Sequence, residues 1–222
     1  MSSSNDQPPT RILHELRHFI SSLCVPAPRQ RGIFPKPTFG HIQLPPYRLA
    51  NPNLMKEICD AIPPMDDARH LQPLFVLPDA GMGILDRGTG DKLTRHPLSP
   101  EIMAFSDLLI ALRASRKEAG SSLQAWKGSD DPRTWHQSGI MPRRAFVVIH
   151  LDSQVSADSA LAQIALVQWA FDVAIDTQYC IRILTMSTEG VRNVVPDLAK
   201  LRSPDIAIPE LNLIALGVSM FK

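Results

Sequence analysis

The chain has 222 residues, 44% of them hydrophobic, and 23 Lys+Arg stand against 22 Asp+Glu for a formal net charge of +1. That is the composition of a folded chain rather than a disordered one, and it supplies no global field to draw nucleic acid or an anionic membrane. No stretch reaches the roughly 18 apolar residues that a membrane span requires, and Cys24, Cys59 and Cys180 lie too far apart for a CxxC metal or redox motif.

The opening, Met1 to Pro9, is polar and lacks a basic-then-apolar profile, so no secretory signal is expected and the predicted location is intracellular, cytoplasmic or nuclear. Residues from Thr10 to Leu23 predict a helix. Ile12, Leu16, Phe19, Ile20 and Leu23 share one face at helical spacing, and Thr10 is placed to cap it. Of the 20 prolines, 15 fall in the first hundred residues. Proline fixes φ and removes a backbone donor, so few long elements are expected there. Residues 25–52 read as an extended, proline-rich arm with polyproline-like segments. Its Arg29, Arg31, Lys36 and Arg48 lie among Phe34, Phe39 and Tyr47. Such an arm is suited to a partner's groove or to self-association.

Asn53 is the expected cap of a short helix over Leu54 to Ile62, stopped by Pro63-Pro64. Leu74-Phe75-Val76-Leu77 is a strand candidate, followed by a loop containing Gly81, Gly83, Gly88 and Gly90. Ser99-Pro100-Glu101 has the residues of a helix start, predicting a helix through Leu108, Leu109 and Leu112 to about Lys117. Ala145 to Leu151 is a nearly continuous β-branched and aromatic run, the pattern of a strand buried on both faces. Asp158 opens a helix to about Ile175, with Leu161, Ile164, Val167 and Phe171 assigned to its apolar stripe. Cys180 to Met186 is a second buried strand, and Leu211 to Leu216 a possible third. A strand, a helix and a strand within this length predict a parallel crossover. The expected fold is α/β: a small three-layer domain with a partly parallel sheet over residues 70–222, preceded over residues 1–69 by a helix and the proline-rich arm.

Ligands of open parallel sheets bind beyond the carboxyl ends of the strands. Asp152 and Ser153 follow the first buried strand, and Ser187, Thr188 and Glu189 follow the second. Asp152, Ser153 and Ser187 are therefore the candidate ligand-binding residues, although a helix cap and loop polar groups explain the same residue types. This stretch resembles the first motor lobe of superfamily-2 DEAH-type RNA helicases. Val147 to Asp152 is similar to the strand before that family's Asp-Glu-x-His motif, and Ile183 to Thr188 to the strand leading to its Ser-Ala-Thr motif. The resemblance covers roughly residues 144–190. Ser153 stands where the family has its water-positioning Glu, Val155 replaces its His, Thr188 its Ala and Glu189 its Thr. A phosphate-binding loop needs Gly-x-x-x-x-Gly-Lys-Ser/Thr, and no Gly-Lys dipeptide occurs. The resemblance thus implies a degenerate nucleotide-hydrolase-like module that acts through protein contacts, with no catalytic residues and no cofactor.

A second constellation is His14-Glu15-Leu16-Arg17-His18. On a helix its two histidines share a face, and Glu15 could polarise a metal-bound water, as in zinc metallohydrolases. Arg17 beside the site and Ser21 and Cys24 where a longer zincin motif has Gly and His depart from that pattern; Glu57 is the conceivable third ligand. Two surface histidines on an amphipathic helix explain the same residues. A third expectation is a structural, viral-type interaction protein tied together by residues 25–52.

Overall fold

The computed structural model describes residues 8–25, 36–51, 53–63, 71–78, 100–116, 126–129 and 139–214. Its centre is a six-stranded sheet in which every pairing is parallel. The strands are β1 (Thr38–Gln43), β2 (Gln72–Leu77), β3 (Glu101–Ala104), β4 (Arg144–His150), β5 (Cys180–Ser187) and β6 (Glu210–Asn212), in the order β3-β2-β4-β5-β1-β6. The described helices are α1 (Pro8–Cys24), α2 (Pro46–Leu49), α3 (Leu54–Ala61), α4 (Phe105–Ser115), α5 (Ala157–Val173) and α6 (Val195–Arg202).

Strand alternation divides the core into two layers. In β4, Ala145, Val147 and Ile149 face α4, α5 and α6, while Phe146 and Val148 face α1 and α3. All five are fully buried. This is why the segment carries an unbroken apolar run: with helices on both faces, no position of a central parallel strand meets water. β4 and β5 are adjacent and parallel, in register from Arg144↔Cys180 to His150↔Met186. The three-layer α/β expectation therefore holds, with a sheet that is parallel throughout its described strands.

The proline-rich arm is where the structure departs most from the sequence expectation. Thr38–Gln43 is a sheet strand, paired on one side with β5 and on the other with β6. A boundary after residue 69 would cut β1 from its own sheet. The physical reason lies in the prolines' positions. Pro37 and Pro45 flank a proline-free window from Thr38 to Leu44, where every backbone donor is intact. Within it, Gly40 lets α1 sit close: a Cβ there would come within 2.7 Å of Leu23 Cδ1. Residues 26–35, within the expected arm, lie outside the described residues.

Pro73 lies inside β2, yet β3 pairs with β2 only from Leu74 onward, so Pro73 has a strand on one side alone. Proline is tolerated at such a position. Glu101–Ala104 forms β3 rather than the first turn of a helix. Pairing of Ile102 with Phe75 and Met103 with Val76 outweighs the local start signal, and α4 begins at Phe105, where the Asp107 carboxylate accepts from the Ala104 N–H at 3.2 Å. α1 starts at Pro8, two residues before Thr10, and its five predicted apolar positions are all buried. α3 follows Asn53 without a side-chain cap bond. α5 is capped by Ser156, whose Oγ accepts from the Ser159 N–H at 3.0 Å.

The phase of α5 also differs from expectation. Ala162, Leu166, Val167, Trp169, Ala170 and Val173 are buried, whereas Leu161 and Ile164 are exposed at 52% and 49%. The helix is apolar on nearly every side, so spacing alone does not say which side meets the sheet. The glycine-rich loop at residues 81–90 and the end of the third apolar run, residues 215 and 216, lie outside the described residues.

Candidate functional site

Among the described connections, one seam in the sheet stands out. Leaving β1, the chain enters α2 and α3 on the face shared with α1; leaving β5, it enters α6 on the opposite face. Adjacent strands whose exits part to opposite faces open a crevice at their carboxyl ends, where ligands of parallel sheets bind. In this chain that place is between Gln43 of β1 and Ser187 of β5.

The seam is occupied by the protein's own polar groups. His41, Thr185 and Ser187 are buried to 5%, 1% and 0% exposure. His41 Nδ1 lies 2.9 Å from Thr185 Oγ1 and 3.2 Å from Thr185 O. A carbonyl oxygen only accepts, so Nδ1 carries the proton and Nε2 accepts from the Ser187 hydroxyl at 3.3 Å. The Thr185 hydroxyl donates to the Gly40 carbonyl at 3.2 Å and accepts from Asn193 Nδ2 at 2.8 Å. Asn193 Oδ1 in turn accepts from the Val195 N–H at the start of α6. Burial lowers the pKa of His41, against opposing pulls from Glu210 and from its bond to the Thr185 backbone. The ring is thus held neutral, which the two-sided hydrogen bonding requires.

A hydroxyl donating to an imidazole that is oriented through its other nitrogen has the connectivity of a nucleophile and its base. Here the hydroxyl has no exposed surface, so a substrate carbonyl has no approach to it. The network instead joins β1, β5 and the β5–α6 loop.

The backbone beyond the seam is equally closed. The Leu44 N–H donates to Ser187 O at 2.9 Å and the Leu213 N–H to Gln43 O at 2.9 Å. Pro45 and Pro46 follow at once and have no N–H. A phosphate cradle is built from successive backbone N–H groups, and this turn does not offer them.

Of the residues expected to bind a ligand, Ser187 ends β5 inside the network. Asp152 and Ser153 lie past the end of β4 and are exposed, with the Ser153 hydroxyl donating to Asp152 Oδ1 at 3.2 Å. The end of β4 is tied to β5 by the Leu151 N–H, which donates to Met186 O at 2.8 Å. Half-buried His150, on the face opposite His41 by strand alternation, has its pKa lowered by burial, with Asp152 pulling it upward. Thr188 is half-buried and Glu189 exposed in the turn after β5, where Gly190 takes a left-handed φ of 78°.

His14 and His18 are exposed on α1, and Glu15 is half-buried. Glu57 is committed elsewhere: its Oε2 pairs with Arg48 at 2.7 Å. Among the described residues no three His, Cys, Asp or Glu side chains converge as metal ligands.

His41, Thr185 and Asn193 were not distinguished by sequence spacing. The usable signal was positional: polar residues in two strands that each end at a carboxyl edge. It was hidden because the proline density around Thr38–Gln43 concealed the strand. No family model, no curated protein and no solved structure matches the chain.

Proposed function

We propose that the chain is a non-catalytic module, a vestigial relative of the nucleotide-hydrolase lobe it resembles, that works through protein contacts. The observation that carries this reading is the filled seam between β1 and β5. The place where a parallel sheet would take a nucleotide holds a buried, mutually bonded His41–Thr185–Ser187 network. The strand leading into it is followed by Pro45-Pro46 instead of a run of N–H donors. The sequence agrees, since no Gly-Lys dipeptide is present to neutralise phosphate.

The contact surface in this reading is the outer side of α5. From Ser159 to Phe171 that helix carries no charged residue, and Leu161 and Ile164 stand one turn apart in solvent, with exposed Val155 and Ile175 beyond the two ends. A surface helix ordinarily places charged residues on its solvent side, and a grouped apolar exposure marks an interaction surface. The arm at residues 25–52 is less suited to that role, because Thr38–Gln43 is already paired on both edges.

The test is chemical cross-linking in a cell extract of wild type and of the double variant L161E/I164E. A discrete cross-linked protein product should form with wild type and be lost with the variant, while the variant's thermal midpoint stays close to wild type. An unchanged pattern of products would contradict the assignment of α5.

A further inference from the structure

The exposed side of α5 belongs to a wider face. α4, α5 and α6 follow β3, β4 and β5 and cover one side of the parallel sheet. All three therefore run in one direction, with first turns at the carboxyl edge of the sheet and last turns at the amino edge. α5 lies in the middle, packed against α4 on one side and α6 on the other.

The three helices share one order of charge. Asp107, Asp158 and Asp197 occupy their first turns and are exposed. Exposed Arg113 lies in the last turn of α4, and exposed Lys200 and Arg202 in that of α6. Arg202 is held by Asp172 of α5 at 2.6 Å. These signs suit the helix dipoles, but the dipoles do not account for the apolar side chains in solvent on the same helices: Ile110 on α4, Leu161 and Ile164 on α5, and Leu201 on α6. The face is thus negative along one margin, basic along the other and apolar between. A copy laid on it in the same direction would set like charges together, whereas a copy turned end for end sets acid against base.

We propose that the outer face of α4, α5 and α6 is the interface of a homodimer, in which a second copy of this chain packs antiparallel across α5. The proposal rests on the assignment of α5 as the contact surface and commits to what covers it. A two-fold contact uses the same patch on both sides, so the patch must complement itself. A two-fold axis lying in this face and crossing the helices at right angles meets that condition. It sets each helix against its own copy in the opposite direction. Arg113 then faces Asp107 of the second copy, and Ile110, midway between them along α4, falls near the axis. Lys200 faces Asp197 of the second copy. Asp158 comes toward the Asp172–Arg202 pair, whose charges already balance. The stretch of α5 from Leu161 to Gln168 meets itself and carries no charge, so closing the interface there desolvates no ion.

The experiment is sedimentation velocity of the purified full chain over a range of concentrations. The mass should rise from 24.6 kDa toward twice that value, and L161E/I164E should stay monomeric with a thermal midpoint close to wild type. Lys200→Glu sets like charges against each other and should weaken the dimer several-fold at low salt; adding Asp197→Lys should restore it. Disulfide trapping reads the direction. Leu161 and Gln168 are about two turns apart on the exposed stripe. Under mild oxidation, Leu161→Cys mixed with Gln168→Cys should give a linked dimer, while wild type and either variant alone give little. A wild-type chain that stays monomeric at every concentration overturns the proposal. If L161E/I164E still loses its cross-linked product in the extract in that case, α5 keeps its role as a contact surface, but for a different protein. A dimer that survives L161E/I164E overturns both the homodimer interface and the assignment of α5. A dimer trapped by either cysteine variant alone and not by the mixture overturns the antiparallel packing.

Discussion

The Ser187 hydroxyl donates to His41 Nε2 at 3.3 Å across the seam between β5 and β1, while the opposite ring nitrogen is held by Thr185. A ring used on both sides leaves an orphan whenever one partner is removed. Ser187→Ala should destabilise the chain by about 1–3 kcal/mol, the range for a buried acceptor left unsatisfied. Thr185→Val should cost more, because Thr185 serves His41, Gly40 and Asn193 together. The measurement is chemical denaturation, and a double-mutant cycle between His41 and Ser187 should show coupling, since the two side chains share one bond.

Gly40 and Leu23 make a steric pair. Gly40→Ala places a methyl group against the end of the Leu23 side chain, and overpacking of this kind typically costs about 1–3 kcal/mol. The double variant Gly40→Ala/Leu23→Ala should be more stable than the sum of the single changes predicts. Strict additivity in thermal or urea unfolding would argue that α1 does not lie on β1.

The orientation of α5 can be tested the same way. Leu166→Ala should cost about 2–5 kcal/mol, as for deletion of a buried leucine side chain. Leu161→Ala should stay within about 0.5 kcal/mol, as for a surface change. Urea midpoints that reverse this order would place the wrong side of the helix on the sheet.

Stability should fall at both ends of the pH scale, for different reasons. His41 and His150 have folded pKa values lowered by burial from 6.5. The unfolded chain therefore binds more protons, so the stabilisation is present above 6.5 and is lost as pH falls below it toward the folded values. Cys24 and Cys59 move the opposite way, from 9.0 to about 12. The unfolded chain releases those protons first, so stability is full below pH 9.0 and is lost as pH rises toward about 12. Urea midpoints measured across pH should trace this plateau. His41→Gln should flatten the acid limb and Cys59→Ala the alkaline one.

The sequence was most legible where burial is two-sided or periodicity is strong. Ala145 to Leu151 could scarcely be anything but a central strand, and the five apolar positions of α1 all face the core. It was least legible where local chemistry and tertiary pairing disagree. Prolines at 37 and 45 masked a strand that needs only the donors between them, and a helix-start signal at residues 99–101 yielded to pairing with β2. The candidate site suffered from the first of these. His41 is part of a site only because β1 inserts beside β5, a neighbour more than a hundred residues away, and no local pattern encodes that adjacency. Asp152 and Ser187 each stand at the end of a strand that the sequence does announce, but only Ser187 joins the buried network, while Asp152 lies exposed beyond β4.

Direct titration with ATP and Mg²⁺, followed by equilibrium dialysis and by phosphate release, tests the central reading most plainly. A seam filled by His41, Thr185 and Ser187 and followed by Pro45-Pro46 predicts no saturable binding and no release of phosphate above the protein-free rate. Saturable binding, or phosphate release that Asp152→Asn or Ser187→Ala abolishes in a folded protein, would show that the seam admits a nucleotide.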